Sequence, residues 1–304
     1  MQRVCIVGAG VIGSLFAGHL ARVCDVSVLT RRREHAEALN RDGLCVTGKS
    51  DHHANVTATS DPAELPPFDV AIVATKASGL EAAAKALEGR FPAAAIVTVL
   101  NGIGAEAVVR SHGEWPIVSG VTFMSGTRHS DTHVEYILDT ETWLGPYEDT
   151  PLEVVRDIAD TIVASGLKAE VLPDLRPAQW SKLIFNAAVN PVAALTGLSH
   201  DFHFAQEDEP AALGRLVHGL VDEGKAVALA AGIELHDDPW EMNVLATRRG
   251  SAHYPSMLED VEAHRQTEIE LITGSLVREA EQRHVPVPLH TMLYGLVKAK
   301  EASW

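Results

Sequence analysis

Gly8, Ala9, Gly10, Val11, Ile12 and Gly13 match G-x-G-x-x-G. Set directly after a strand and opening a helix, such a run is the turn that cradles a dinucleotide pyrophosphate. Gly8 permits the tight turn, Gly10 lets backbone approach the phosphates, and Gly13 lets helix pack on strand. The helix N-terminus then faces the negative charge. The next strand ends in Arg31, Arg32 and Arg33, where a site for an unphosphorylated ribose usually carries an acid. In so acidic a chain, this basic run favours a ribose 2′-phosphate, with Arg31 placed to offer a bidentate fork. The cofactor expected is NADPH.

Lys182, Asn186 and Asn190 stand at i, i+4 and i+8. On a helix they form one polar stripe that drifts about 40° per step. Leu183, Ile184, Ala187, Ala188 and Val189 surround them, so the helix is expected to be buried. A buried amine and two buried amides need polar partners, which a keto or hydroxy acid would supply. Lys76 and Asn101 each follow a short apolar run of strand type. The carboxyl ends of strands in a doubly wound sheet line the ligand crevice. Lys76 is placed to help hold the ribose and phosphate end, and Asn101 to touch both nicotinamide and substrate, although turn chemistry alone accounts for either. Ser256 and Glu268 lie on a stretch of helical pattern, 12 residues apart. One straight helix would separate them by roughly 18 Å. Either Ser256 precedes the helix, or the two meet different parts of the ligands.

Arg3–Val7, Val26–Leu29, Val70–Thr75 and Ile96–Leu100 read as strands, with helices over Val11–Arg22 and Glu81–Leu87. Strands alternating with helices imply a parallel sheet covered on both faces. Val134–Leu138 and Glu141–Leu144 read as a hairpin over Asp139 and Thr140, an antiparallel edge on that sheet. From Pro173 onward helical patterns dominate: Pro177–Asn190, Pro210–Ala231, Pro239–Arg249, Pro255–Arg283 and Leu289–Glu301. Proline in the first turn with acids nearby, as at Asp237-Asp238-Pro239 and Glu207-Asp208-Glu209-Pro210, suits helix starts. The expected fold is α/β: an N-terminal Rossmann-type doubly wound sheet over residues 1–172 and a C-terminal all-helical domain over 173–304. A cleft between them is the default place for a substrate.

A length of 304 residues with 46% apolar content supports such a core. The formal net charge of −16 argues against nucleic acid, which needs clustered Lys and Arg. Cys5, Cys24 and Cys45 form no close-spaced ligand pair, as expected of reduced cysteines in a cytoplasmic protein. No segment reads as a membrane span or a signal peptide. Despite 15 histidines there is no His-Glu-x-x-His motif, and no metal is expected. His129 and His133 fall in a loop-to-strand region, and His52, His53, His200 and His203 in loops. Apolar surface on the helical half is compatible with a homodimer.

Taken together, these segments resemble the ketopantoate reductase (2-dehydropantoate 2-reductase) family over nearly the whole chain. The resemblance is carried by GAGVIG at the first turn, VATKA around Lys76 and LNGIG around Asn101. It continues through WSKLIFNAAVNPVAALTG around Lys182 and SMLEDVEAHRQTEIELITG around Ser256 and Glu268. It implies an NADPH-binding domain joined to a helical substrate domain, and reduction of a small 2-keto acid. Lys182 resembles the family's general acid. Asn186, Asn190 and Ser256 resemble substrate-binding positions, and Asn101 one shared by substrate and cofactor. Glu268 resembles the acid beside the reaction centre and cofactor. Arg31 resembles the residue on the 2′-phosphate side, and Gly126 falls among the cofactor positions.

The chain departs from the family pattern at Leu198–Phe204, which is rich in aromatics, at Thr122-Phe123 and at Thr273 before Gly274. None of these removes a proposed catalytic group, but bulky aromatics could reshape the substrate pocket. Ketopantoate reduction therefore stands beside a related 2-hydroxy-acid or sugar-acid dehydrogenase on the same scaffold. A dinucleotide-binding regulator without turnover would not need Lys182, Asn186 and Glu268.

Overall fold

A computed structural model describes residues 2–208, 212–248 and 254–304. Packing divides them into two compact units. The first runs up to Leu100 and resumes over Ala105–Leu175; the second takes Asn101–Gly104 and Arg176–Trp304.

In chain order the first unit contains β1 (Arg3–Val7), α1 (Val11–Leu20), β2 (Asp25–Leu29), α2 (Arg33–Asp42), β3 (Leu44–Gly48), β4 (His52–Ala54) and β5 (Thr57–Thr59). It continues with β6 (Val70–Val73), α3 (Ala77–Leu87), β7 (Ala95–Thr98), α4 (Ala105–Arg110), β8 (Ile117–Thr122) and β9 (Ser125–Ser130). It closes with β10 (His133–Leu138), β11 (Thr142–Pro146), α5 (Leu152–Ala164) and β12 (Ala169–Val171). The main sheet has eight strands in the order β12-β11-β8-β7-β6-β1-β2-β5. All neighbours from β5 to β8 pair in parallel, with Val4 opposite Val26 on one side and Val70 on the other. The central strands β6, β7 and β8 are buried at every position, as expected where helices cover both faces.

The antiparallel element of this sheet is β11 against β8, but the expected hairpin is absent. β10 instead joins a second sheet of four strands, ordered β4-β3-β10-β9, where it runs parallel to β3 and antiparallel to β9. The reason is local. Asp139-Thr140 has no glycine to adopt the left-handed angles of a two-residue hairpin turn. Tyr136 donates its hydroxyl to Asp139 at 2.9 Å, and Lys168 pairs with the same carboxylate at 2.9 Å, so the chain crosses between sheets there. The small sheet covers α1. A Cβ at Gly18 would lie 2.5 Å from Val46, and the buried His19 ring stands edge-on to His52 and Tyr136.

The second unit is built from α6 (Arg176–Thr196), α7 (Ala212–Ala230), α8 (Pro239–Arg248), α9 (Ser256–Glu262), α10 (Thr273–Gln282) and α11 (Pro288–Glu301). The expected helix start at Glu209-Pro210 and end at Arg249 lie outside the described residues. α6 runs through Pro191 and is buried almost throughout its centre, where Trp180, Leu183, Ile184, Ala187 and Val192 join one apolar cluster with α7, α9, α10 and α11. The single helix expected over Pro255–Arg283 is two helices. α9 stops because His264 adopts φ +50°. Its N–H bonds to the Val261 carbonyl, and the Arg265 N–H reaches back to the Asp260 carbonyl at 2.8 Å. This pair of bonds closes the helix without the glycine that usually announces such a stop.

Candidate active site

In the first unit the glycine turn joins β1 to α1. Gly8 has φ +101°, and its N–H bonds to the Leu29 carbonyl at 2.9 Å. A Cβ at Gly13 would sit 1.9 Å from the Gly8 carbonyl oxygen, so the helix closes on the turn only because that side chain is absent. A Cβ at Gly10 would meet nothing within 4 Å. Gly10 is therefore small for a reason other than the protein's own packing. It is the N-cap of α1, which has no side-chain cap and no acid in its first turn. An uncapped helix start beside open space suits an anion. Ala9 is buried, and Val11 and Ile12 are half-buried at the opening of the helix.

The arginine run divides by partner. Arg32 pairs with Asp131 at 2.5 Å and Arg33 with Glu37 at 2.8 Å. Arg31, exposed between β2 and the N-cap of α2, makes no side-chain hydrogen bond or ion pair with a described residue. Lys76 is the exposed N-cap of α3, after β6. Gly126, on β9, packs tightly: a Cβ there would lie 2.3 Å from the Glu135 carbonyl and 3.2 Å from Val11. Its small size thus serves the join between the second sheet and the start of α1.

In the second unit Lys182, Asn186 and Asn190 are all buried on α6. The Asn186 and Asn190 side chains make no hydrogen bond to a described residue. Burial lowers the Lys182 ammonium from 10.5 to about 8, and the nearby Glu268 carboxylate pulls the other way. Glu268, also buried, accepts a hydrogen bond from the Asn101 side chain at 2.9 Å. Asn101 follows the sheet strand β7 in sequence, yet its loop packs with the helical unit. Gly102, at φ +95°, would place a Cβ 1.9 Å from the Leu271 carbonyl, and Ile103 donates to that carbonyl at 3.3 Å. Ser256 opens α9, half-buried, without a hydrogen-bond partner among the described residues.

Lys182, Glu268 and Asn101 are thus brought together in the second unit. Ser256 is not on one straight helix with Glu268, because the chain breaks after α9. Among the described residues no group of three or more His, Cys, Asp or Glu forms a metal cluster. The rings of His129 and His133 lie 4.9 Å apart on β9 and β10. No helix among the described residues is long and apolar enough to cross a membrane.

A glycine turn of this geometry on a parallel sheet defines a dinucleotide-dependent protein. Residues 4–149 match the family model described as ketopantoate reductase PanE/ApbA, and residues 174–301 match its C-terminal model. The 2-dehydropantoate 2-reductase of Pyrococcus horikoshii is 31% identical over 99% of this chain and 98% of its own. That of Archaeoglobus fulgidus is 28% identical over 100% and 99%. The crystal structure of a ketopantoate reductase family protein from Ralstonia eutropha superposes with a TM-score of 0.89, at 26% identity and 99% coverage of both chains. A D-mandelate dehydrogenase solved with NADH and anilino(oxo)acetate shares the fold, with a TM-score of 0.91 at 24% identity and 99% coverage of both chains. The chain belongs to the ketopantoate reductase family, whose members are nicotinamide-dependent oxidoreductases.

Proposed function

We propose that this protein reduces the ketone of 2-dehydropantoate to pantoate, a step toward pantothenate, with NADPH as reductant and Lys182 as general acid. The observation that carries the proposal is the buried Lys182 ammonium, lowered to about 8 by burial against the pull of Glu268, on one helix with two buried asparagines whose side chains make no hydrogen bond to a described residue. An amine tuned to that range is protonated at neutral pH and still able to release its proton. The names of the relatives supply the substrate.

The residues of the first unit fit an NADP-type dinucleotide. Gly10 leaves space at an uncapped helix start, and Arg31 has no ion-pair partner among the described residues while its two neighbours pair with carboxylates. Gly8–Gly13 would hold the pyrophosphate and Arg31 the 2′-phosphate, with Lys76 at the ribose side. When bound, the reduced nicotinamide supplies hydride to the ketone carbon. Lys182 polarises the ketone oxygen, stabilises the alkoxide that forms there and protonates it. The neutral amine is reprotonated from solvent. Glu268 keeps the ammonium form accessible, and Asn101 fixes the Glu268 carboxylate. Asn186, Asn190 and Ser256 orient the substrate carboxylate and polar groups without adding a fixed charge. Cys5, Cys24 and Cys45 are free thiols, which suits a cytoplasmic setting.

A second reading has a specific observation behind it. Phe185, half-buried one turn from Lys182, stands 5.9 Å from the His200 ring, which stands 5.1 Å from Phe204. His200 and Phe204 are core-packed, so this aromatic cluster reaches the Lys182 helix only through Phe185; a bulkier, aryl-substituted 2-keto acid is the alternative substrate it suggests. A steady-state panel of ketopantoate and aryl-substituted 2-keto acids, with NADPH and NADH, tests both. The proposal expects the highest kcat/KM with ketopantoate and NADPH, and loss of turnover in Lys182→Ala. A higher kcat/KM for an aryl acid rejects ketopantoate as the substrate. Absence of turnover on every acid rejects the enzyme reading.

A further inference from the structure

Glu268 lies on a strap, residues 264–272, that joins α9 to α10 and is not helical. A carboxylate in such a segment keeps its place only if the segment is tied down. On both sides of Glu268 the strap is tied by side chains of α11, and Arg278 of α10 adds to the tie at Glu270. On one side of Glu268, the Glu301 Oε1 atom accepts the Thr267 backbone N–H at 2.8 Å and the Thr267 hydroxyl at 2.7 Å. On the other side, Tyr294 donates its hydroxyl to Glu270 at 2.9 Å, and Lys298 pairs with Glu270 at 3.0 Å. Lys298 also reaches Glu301 Oε2 at 3.3 Å. The Glu301 side chain is only 8% exposed, so it makes charge-assisted hydrogen bonds away from bulk water.

The tie passes directly into the turn that presents Glu268. The Thr267 hydroxyl oxygen also accepts the Ile269 N–H at 3.2 Å, and the Glu268 carbonyl accepts the N–H groups of Leu271 and Ile272. Thr267 therefore has a fixed orientation on both sides, given by Glu301 above it and Ile269 below it.

We propose that Glu301 is a positioning residue for the reaction: by holding Thr267 it fixes the Glu268 carboxylate on Asn101 and within electrostatic reach of Lys182. The inference rests on the general-acid assignment of Lys182 given above. Among the described residues the hydrogen-bond and ion-pair partners of the Glu301 side chain are Thr267 and Lys298, so its influence on Glu268 runs through the strap. The neighbouring Glu270 clamp, with Tyr294, Lys298 and Arg278, holds the far end of the same strap and leaves Thr267 dependent on Glu301.

The test compares the full-length wild type with Glu301→Ala, Glu301→Gln and Thr267→Val. Two readouts are needed: steady-state kcat with ketopantoate and NADPH, and the titration of the Lys182 amine by NMR on lysine-labelled protein without cofactor. In Glu301→Ala the Glu268 carboxylate loses its fixed place. The Lys182 amine then titrates at lower pH, and kcat falls roughly ten- to a hundredfold. Glu301→Gln keeps an oxygen that accepts both Thr267 hydrogen bonds and restores both readouts. Thr267→Val keeps the N–H and the side-chain shape, and lies between. Should Glu301→Ala fail to fold, Thr267→Val against wild type carries the comparison. An unmoved Lys182 titration in these variants overturns the inference, as does a Glu301→Gln as impaired as Glu301→Ala. A wild type without turnover on any 2-keto acid, but with the Lys182 shift present, instead overturns the functional reading.

Discussion

Asn101 donates its side-chain amide to the Glu268 carboxylate at 2.9 Å across 167 residues of chain. The contact depends on two backbones lying almost against each other, since Gly102 leaves no room for a Cβ beneath the Leu271 carbonyl. It gives a buried carboxylate a neutral donor, which satisfies one oxygen without cancelling the pull on Lys182. Asn101→Ala removes the donor. Asn101→Asp is expected to be worse, because two carboxylates would share one buried site and one must take up a proton. Thermal unfolding and kcat/KM at pH 7.5 should rank wild type, then Ala, then Asp. Lowering the pH toward 5 should narrow the gap between the two variants. Equal behaviour at both pH values would show that the amide is not a partner of Glu268 in solution.

Lys182 makes the fold less stable than a neutral side chain would. Its ammonium is lowered from 10.5 to about 8, even with Glu268 counted, so the folded state binds fewer protons than the unfolded chain between those values. Stability therefore rises with pH through that window. Below about pH 8 the folded protein bears the whole penalty, ~3 kcal/mol. Lys182→Met is expected to abolish turnover while raising the denaturation midpoint at pH 7. It should also remove the rise in wild-type stability between pH 8 and 10.5. Urea unfolding of both proteins at pH 7 and pH 10 checks this. A Met variant less stable than wild type at pH 7 would mean that the amine is better solvated than its burial implies.

The alternation of strand and helix through Val73 and Thr98, and the glycine turn, were legible because each rests on local chemistry: continuous apolar strands and obligatory small residues. Lys182, Asn186 and Asn190 were legible because polar groups among Leu183, Ile184 and Val189 break a buried face. The second sheet was not legible. β9 is mostly exposed, and β10 has the half-buried alternation of any edge hairpin, so nothing local says that Asp139 marks a crossing between sheets. The helix break after α9 was hidden because His264 takes a left-handed conformation that sequence assigns to glycine. Glu268 itself was named by resemblance alone. Its neighbours Thr267 and Glu301 stand 34 residues apart and announce nothing until the strap and α11 are placed together.

The two glycines of the first turn should separate folding from cofactor binding. Gly13→Ala puts a Cβ 1.9 Å from the Gly8 carbonyl, a clash with backbone that only a shift of α1 relieves. Gly10→Ala puts a methyl group into open space at φ −76°, which any residue adopts. The expected outcome is a marked loss of thermal stability for Gly13→Ala. For Gly10→Ala, near-wild-type unfolding should accompany a several-fold rise in KM for NADPH. Unchanged nucleotide affinity in Gly10→Ala would remove the phosphate cradle from that position.

Cofactor choice should depend on one arginine of the three. Arg32 and Arg33 are each held by a carboxylate, Asp131 and Glu37, so turning either toward a phosphate would break an existing pair. Arg31 has no such partner among the described residues and sits where β2 ends. Its guanidinium can close on a 2′-phosphate without first giving anything up, and a plain ribose hydroxyl offers it little. Arg31→Ala should therefore reduce kcat/KM with NADPH roughly ten- to a hundredfold, the worth of one charge-assisted contact, and leave NADH nearly unchanged. Arg33→Ala, which loses only an exposed pair, should leave both cofactors as they were. The contrast also sorts charge from contact. If Arg31→Ala and Arg33→Ala weaken NADPH equally, and added salt erases both effects, the run acts as a diffuse positive field rather than through a fork at Arg31.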